Sequence, residues 1–413
     1  MKRVLMVAFH FPPLAGSSGI QRTLRFVQHL PKMGWTPLVL SAQPMAYEMT
    51  SNDLLADVPA GTEVRRAFAL NSARHLAFKG RYLAASARPD RWISWKFDAV
   101  RQGLQMIREF KPQVIWTTYP IATAHLIGAE LHKRSGIPWV ADFRDPMAQE
   151  GYPPDTKTWQ QFKIIEQQTI QYAAAATFTT PGAVRTYRQR YPESAEKVTL
   201  LENGYDEESF AAIENGVTFS EPLNPGSITL LHSGLVYPDE RDPNALFAAL
   251  QRIHKTPAGS SLKIRFRASG HEALLRQLAI KYAVLDMLEF LPQLPYQAAL
   301  TEMLRADALL VMQAANCNEQ IPAKVYEYFR ARRPIVGLTD PAGDTANLLR
   351  NSGVDWIAPL NDVVEISSLL QDVVAVLMTK QGPLPNEEAV HSASRLNRSA
   401  TLALLLDSVA HGA

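Results

Sequence analysis

At 413 residues the chain is longer than one hydrophobic core usually fills, so two domains are expected. An apolar share of 46% against 20% charged is the balance of a globular protein, and a net charge of +2 gives no overall field for nucleic acid. The single cysteine, Cys317, excludes an intramolecular disulfide framework and a multi-cysteine metal site.

Val4 to Phe9 is a short apolar run bounded by turn residues, the pattern of a parallel strand buried on both faces. His10-Phe11-Pro12-Pro13 follows it where a signal peptide would carry a small-residue cleavage site, so the start reads as a strand. No stretch of about 18 apolar residues is present to span a membrane, and a cytoplasmic location is expected. A loop bearing Gly16 and Gly19 leads into an amphipathic helix from Ile20 to Met33, then a second strand at Thr36 to Ser41, which together make a βαβ unit. The loop is not GxGxxG. Its small residues either admit a ligand close to the backbone or simply make a tight turn.

Between Glu63 and Lys111 basic residues outnumber acidic ones, and Trp92, Ile93, Trp95 and Phe97 are interleaved with them. Such a mixture suits an anionic lipid surface, or a solvated helical face whose aromatics pack inward. No nucleic-acid module accompanies it. Val114 to Thr118 is a further strand, followed by Tyr119-Pro120 and a helix to Arg134. The strand Trp139 to Phe143 exits into Asp142-Phe143-Arg144-Asp145, where an open α/β sheet usually does its ligand chemistry; an Arg–Asp pair holding the loop is the alternative. A helix around Trp159 to Ala174 and strands at Ala176 to Thr180 and Val198 to Leu201 complete this half, which ends at Glu202-Asn203-Gly204-Tyr205-Asp206.

Residues 207–226 are polar, hold Pro222 and Pro225, and read as a linker between domains at 1–206 and 227–385. Strands at Ile228 to Ser233, Leu262 to Ala268, Leu288 to Leu291, Ala308 to Met312, Pro334 to Leu338 and Val354 to Ile357 alternate with helices, and residues 386–413 form a terminal helical segment expected to pack back on the first domain. Within the second half, Glu319 and Glu327 flank Pro322 near a helix start. There the free N–H groups of the first turn and the helix dipole favour an anion. Taken alone, these carboxylates read as ordinary residues of a solvated helix.

Four stretches, in order, resemble family 4 of the retaining, nucleotide-sugar-dependent glycosyltransferases: Phe11 to Gly19, Glu202-Asn203-Gly204-Tyr205-Asp206, Gly234 to Arg241, and Glu319-x7-Glu327 followed by Ala331-Arg332-Arg333-Pro334. The resemblance implies an α/β chain of the GT-B fold, two Rossmann-like doubly wound domains facing each other across a cleft. It implies a hexosyltransferase-type enzyme with a nucleoside-diphosphate-sugar donor and a saccharide or lipid-linked acceptor, as in surface or exopolysaccharide assembly. No metal or other cofactor is expected, and the inner face of an anionic membrane is the expected peripheral partner.

Roles follow from the same resemblance. Glu319 would accept from donor-sugar hydroxyls and Glu327 from the ribose, with backbone N–H groups near Gln320, Ile321 and Ala323 on the diphosphate. Arg241 would oppose the charge of the leaving diphosphate. Gly16, Gly19 and Gly234 would admit the phosphates, and Gly270 and Leu291 would lie near the base. An arginine commonly follows the glycine of the second-domain loop, and here Leu235 stands there; a histidine commonly follows the fourth strand, where this chain has Thr118 and Tyr119. Asp142, Arg144 and Asp145 are therefore expected to face the reacting sugar or the acceptor, with His10, Thr118 and Tyr119 on the acceptor side. A sugar-nucleotide epimerase on the same fold and a non-catalytic GT-B subunit are the alternatives.

Overall fold

The computed structural model describes residues 1–17, 19–79, 81–214, 221–379 and 382–412. The chain divides into two compact units, Met1–Asn203 with Arg395–Ala413, and Gly204–Ser394. In the first, the elements run β1 (Lys2–Val7), α1 (Gly19–His29), β2 (Trp35–Ala42), β3 (Glu63–Ala67), α2 (Ser72–His75), α3 (Trp95–Phe110), β4 (Val114–Thr118), α4 (Thr123–Ser135), β5 (Trp139–Arg144), α5 (Thr156–Tyr172), β6 (Ala175–Phe178), α6 (Pro181–Arg190) and β7 (Val198–Leu200). The second holds α7 (Glu207–Glu214), β8 (Ile228–Ser233), α8 (Asn244–Ile253), α9 (Pro257–Ser261), β9 (Leu262–Arg267), α10 (Glu272–Lys281), β10 (Leu288–Leu291), α11 (Tyr296–Arg305), β11 (Ala308–Met312), α12 (Lys324–Ala331), β12 (Ile335–Leu338), α13 (Asp344–Asn351), β13 (Ile357–Ala358), α14 (Val363–Leu377) and α15 (Glu387–Ser392). Helix α16 (Arg395–His411) returns to the first unit.

The first unit is built on a seven-stranded parallel sheet in the order β3-β2-β1-β4-β5-β6-β7, and the second on a six-stranded parallel sheet in the order β10-β9-β8-β11-β12-β13. The apolar runs explain why these strands are central. In β1, Leu5 and Val7 enter one buried cluster while Val4 and Met6 enter another, so the strand is covered on both faces. In β11, Leu310 and Met312 pack on one side and Leu309 and Val311 on the other. Each order reverses beside its first strand, between β1 and β4 and between β8 and β11, and loops at the carboxyl ends of those strands are where open α/β sheets bind ligands.

The structure differs from the sequence reading at several places, three of which bear on the domain organisation. Edge strand β3 has only Ala67 buried, and its arginines hid it inside the basic segment. The span read as a linker, 207–226, opens with helix α7, whose Phe210 and Ile213 are buried; residues 215–220 lie outside the described set. The terminal helical segment is broken at Ala393 and Ser394: α15 stays with the second unit, and Leu402, Ala403 and Leu406 of α16 close the cluster beneath Val4 and Met6.

Candidate functional site

Each unit gathers polar side chains at the carboxyl ends of its central strands. In the first, Asp142 is fully buried near the end of β5. Arg22, from α1, holds it with both guanidinium arms: Nη2 donates to Oδ1 at 2.8 Å and Nε to Oδ2 at 2.9 Å. Thr177 donates to Oδ1 at 2.7 Å and Thr118 to Oδ2 at 2.8 Å. Burial alone would raise the Asp142 carboxyl, but Arg22, Thr177 and Thr118 overcome it and hold it below the ordinary carboxylate range. Arg22 also donates to the carbonyls of Leu201 and Glu202. The pair therefore ties α1, β5 and the chain after β7 together, and both Asp142 oxygens are engaged within the unit.

Beside it, Arg144 adopts a left-handed backbone (φ 62°) at the bulge that ends β5, and Asp145 is exposed. The Arg144 Nη1 reaches the Tyr119 carbonyl at 3.4 Å, and its buried Nε has no partner among the described residues. Gly19, the first residue of α1, is what lets these groups meet: a Cβ there would lie 2.5 Å from Arg144 Nη1 and 2.6 Å from His10 Nδ1. His10 also meets Ser17 Oγ at 3.1 Å. Burial, aided by the Arg144 charge, lowers the His10 pKa to about 4, so the imidazole is neutral near pH 7. Gly16 is left-handed (φ 78°), and Tyr119 is buried with its ring stacked on His125.

In the second unit, Glu319 and Gln320 lie exposed in the loop between β11 and α12, whereas Ile321 is buried. Helix α12 begins at Lys324, so Pro322 precedes it and Glu327 falls in its first turn, where the dipole favours a carboxylate. Tyr296 donates to Glu327 Oε1 at 2.9 Å. The Gln320 N–H is already bound to the Cys317 carbonyl at 2.9 Å. Among the described residues, the N–H groups of Ile321, Ala323 and Lys324 meet no backbone carbonyl, and they form the open donors of this helix start.

The loop after β8 runs alongside. Gly234 is left-handed (φ 113°), and its missing Cβ leaves room for the Lys324 ammonium, which would sit 3.0 Å from it. Lys324 Nζ lies 3.2 Å from His232 Nε2, and His232 Nδ1 lies 3.0 Å from the Leu310 carbonyl. Burial, with repulsion from Arg241, lowers the Lys324 pKa to about 7 against the attraction of Glu327. Arg241 turns its Nη1 back to the Leu235 carbonyl at 2.8 Å and lies over the Tyr237 ring. Gly270 is left-handed (φ 80°) and a Cβ there would strike Leu235 Cδ2 at 2.7 Å; Leu291, at the end of β10, accepts from the Ala268 N–H.

The structure thus groups His10, Gly19 and Arg144 in one unit, and Gly234, Arg241 and Glu327 in the other. Arg22, His232, Tyr296 and Lys324 were missed as site residues. For Lys324 the available signal was a cation inside the span from Glu319 to Glu327.

Residues 18–204 match the family model described as a glycosyl transferase 4-like domain. No curated protein matches the sequence. Solved structures share the architecture at low identity. Sucrose-phosphate synthase from Thermosynechococcus elongatus superposes with a TM-score of 0.60 at 11% identity, covering 100% of this chain and 97% of its own. Anabaena HepE, solved in complex with UDP, gives 0.60 at 13% identity and covers 100% and 98%. UDP-GlcNAc 2-epimerase from Methanocaldococcus jannaschii gives 0.57 at 11% identity and covers 99% and 100%.

Proposed function

We propose that the chain, whose residues 18–204 match a glycosyl transferase 4-like domain and whose two Rossmann-like sheets have the GT-B pattern, is a glycosyltransferase that moves a sugar from a nucleoside-diphosphate-sugar to a saccharide or lipid-linked acceptor with retention at the anomeric carbon. The observation that carries this reading is the start of α12, where open N–H groups, Glu327 and the nearby Arg241 supply both anion donors and hydroxyl acceptors. The complex of Anabaena HepE with UDP supports a nucleotide donor on the same fold. In this scheme Glu327 takes ribose hydroxyls and Glu319 sugar hydroxyls. As the glycosidic C–O bond breaks, its electron pair passes to the diphosphate, whose growing charge Arg241 and the helix start stabilise. The acceptor hydroxyl gives its proton to a diphosphate oxygen as it bonds to the anomeric carbon. His10, Thr118, Tyr119, Arg144 and Asp145 serve the acceptor side, and no metal takes part.

A thermal-shift screen against UDP, GDP, ADP, dTDP and their sugars tests the reading. A true donor at 100 times its dissociation constant stabilises by about 2.7 kcal/mol, and a chain that none of them shifts would sink it. The shared fold of a UDP-GlcNAc 2-epimerase keeps epimerisation as a second reading. Nucleoside diphosphate released only when acceptor is present separates the two.

We further propose a cytoplasmic protein that meets the inner membrane face in polysaccharide assembly. Phe78, Leu83 and Phe97 are 77%, 80% and 77% exposed, and among the described residues the nearby Lys79, Arg81 and Lys96 have no carboxylate partner. No described helix is long and apolar enough to cross a membrane. Flotation with anionic vesicles should carry the protein upward and neutral vesicles should not; equal partitioning would remove this part.

A further inference from the structure

Resting on that reading of the second unit, we infer that Lys324, from within the Glu319–Glu327 span, is the principal cation for the donor diphosphate, and that His232 aims it. The position after the β8 glycine, where a cation is expected, holds Leu235, which is 44% exposed and packs at Gly270. The positive charge instead enters from the first residue of α12. Its ammonium reaches the glycine loop because Gly234 has no side chain.

Leu310 O can only accept, so His232 Nδ1 donates to it, and in that tautomer Nε2 turns a lone pair to the Lys324 ammonium, with the Leu235 backbone also against the ring. His232 is fully buried, and burial with the Lys324 charge keeps it neutral. An ammonium has three donors, and His232 is the only hydrogen-bond partner that Lys324 has among the described residues. The charged groups that face it are Arg241, which repels, and Glu327, which attracts but already accepts from Tyr296. Burial and Arg241 leave this cation under-neutralised, and an arriving diphosphate completes both its hydrogen bonds and its charge.

Inorganic pyrophosphate tests this without commitment to any base or sugar. By titration calorimetry the wild type should bind it, Lys324→Met should bind about tenfold or more weakly, and Lys324→Arg should stay within about threefold. At about pH 8 the wild type should also take up more protons on binding than Lys324→Arg, whose guanidinium is always charged. Pyrophosphate contributes its own protons equally to both, so the difference reports Lys324. If Lys324→Met proves unstable, the proton difference with Lys324→Arg still decides. An unchanged Lys324→Met, or no difference in proton uptake, overturns the inference while nucleotide binding in the screen leaves the donor site standing. A wild type that binds neither pyrophosphate nor any nucleotide overturns both.

Discussion

Truncating Asp142 to alanine would leave the Arg22 guanidinium buried without its carboxylate. Breaking a buried pair from one side costs about 3–5 kcal/mol, so the urea midpoint of Asp142→Ala should fall sharply, and Arg22→Met with Asp142→Leu should recover much of the loss. The pH dependence follows in sign. The Asp142 carboxyl is held low in the fold, so its contribution is present above the unfolded value near about 3.9 and is lost as pH falls through the lower folded value. The acid limb of stability should therefore be shallower in Asp142→Asn. Lys324 gives a slope of the same sign, but as a cost that is relieved. Its folded pKa of about 7 lies below that of the unfolded chain, so its cost is full below about 7 and is relieved as pH rises toward about 10. Without ligand, the stability of the wild type relative to Lys324→Met should climb across that window. Neither role could be read along the chain. Asp142 meets an arginine 120 positions away and Lys324 a histidine 92 positions away, and only the folded sheets bring those ends together.

Helix α4 lies on its sheet through Gly128, where a Cβ would come within 2.5 Å of Thr117 Cγ2 and 2.8 Å of the Trp139 ring. Overpacking of this kind costs about 1–3 kcal/mol, so Gly128→Ala should lower the unfolding midpoint despite the better helix propensity of alanine. Elements like this were legible wherever burial covers both faces. The spans of β8, β10 and β11 match their apolar runs residue for residue. Strand β3 was not legible, because Glu63, Arg65 and Arg66 stand on an edge that stays partly wet and carry no apolar alternation. Strand β13 is Ile357–Ala358, shorter and later than the run from Val354 suggested, since Val354 belongs to the turn that follows α13.

The two sheets have separate cores, and the alternation of strand and helix announced both. The first unit is made from two pieces of chain, Met1–Asn203 and Arg395–Ala413. Lys2 and Trp35 both bind Asp407 of α16, and Arg398 pairs with Glu202 at 2.8 Å. A chain ending at Ser394 should lose the Leu402 and Leu406 packing at about 1.5–3 kcal/mol for each buried side chain. By calorimetry the unfolding of the first unit should shift down while that of the second stays in place. An unmoved first transition would show α16 to be dispensable.

The return of α16 also fixes an order of events during synthesis. A ribosome makes the amino-terminal residues first, and domains generally fold in that order. Here the lower face of β1 waits for a helix that is translated after the whole of the second unit, so the second unit has all of its residues while the first still lacks a wall. The unit that is begun first is completed after the second, and until Leu402 and Leu406 of α16 emerge, Val4 and Met6 are surfaces for a chaperone to hold.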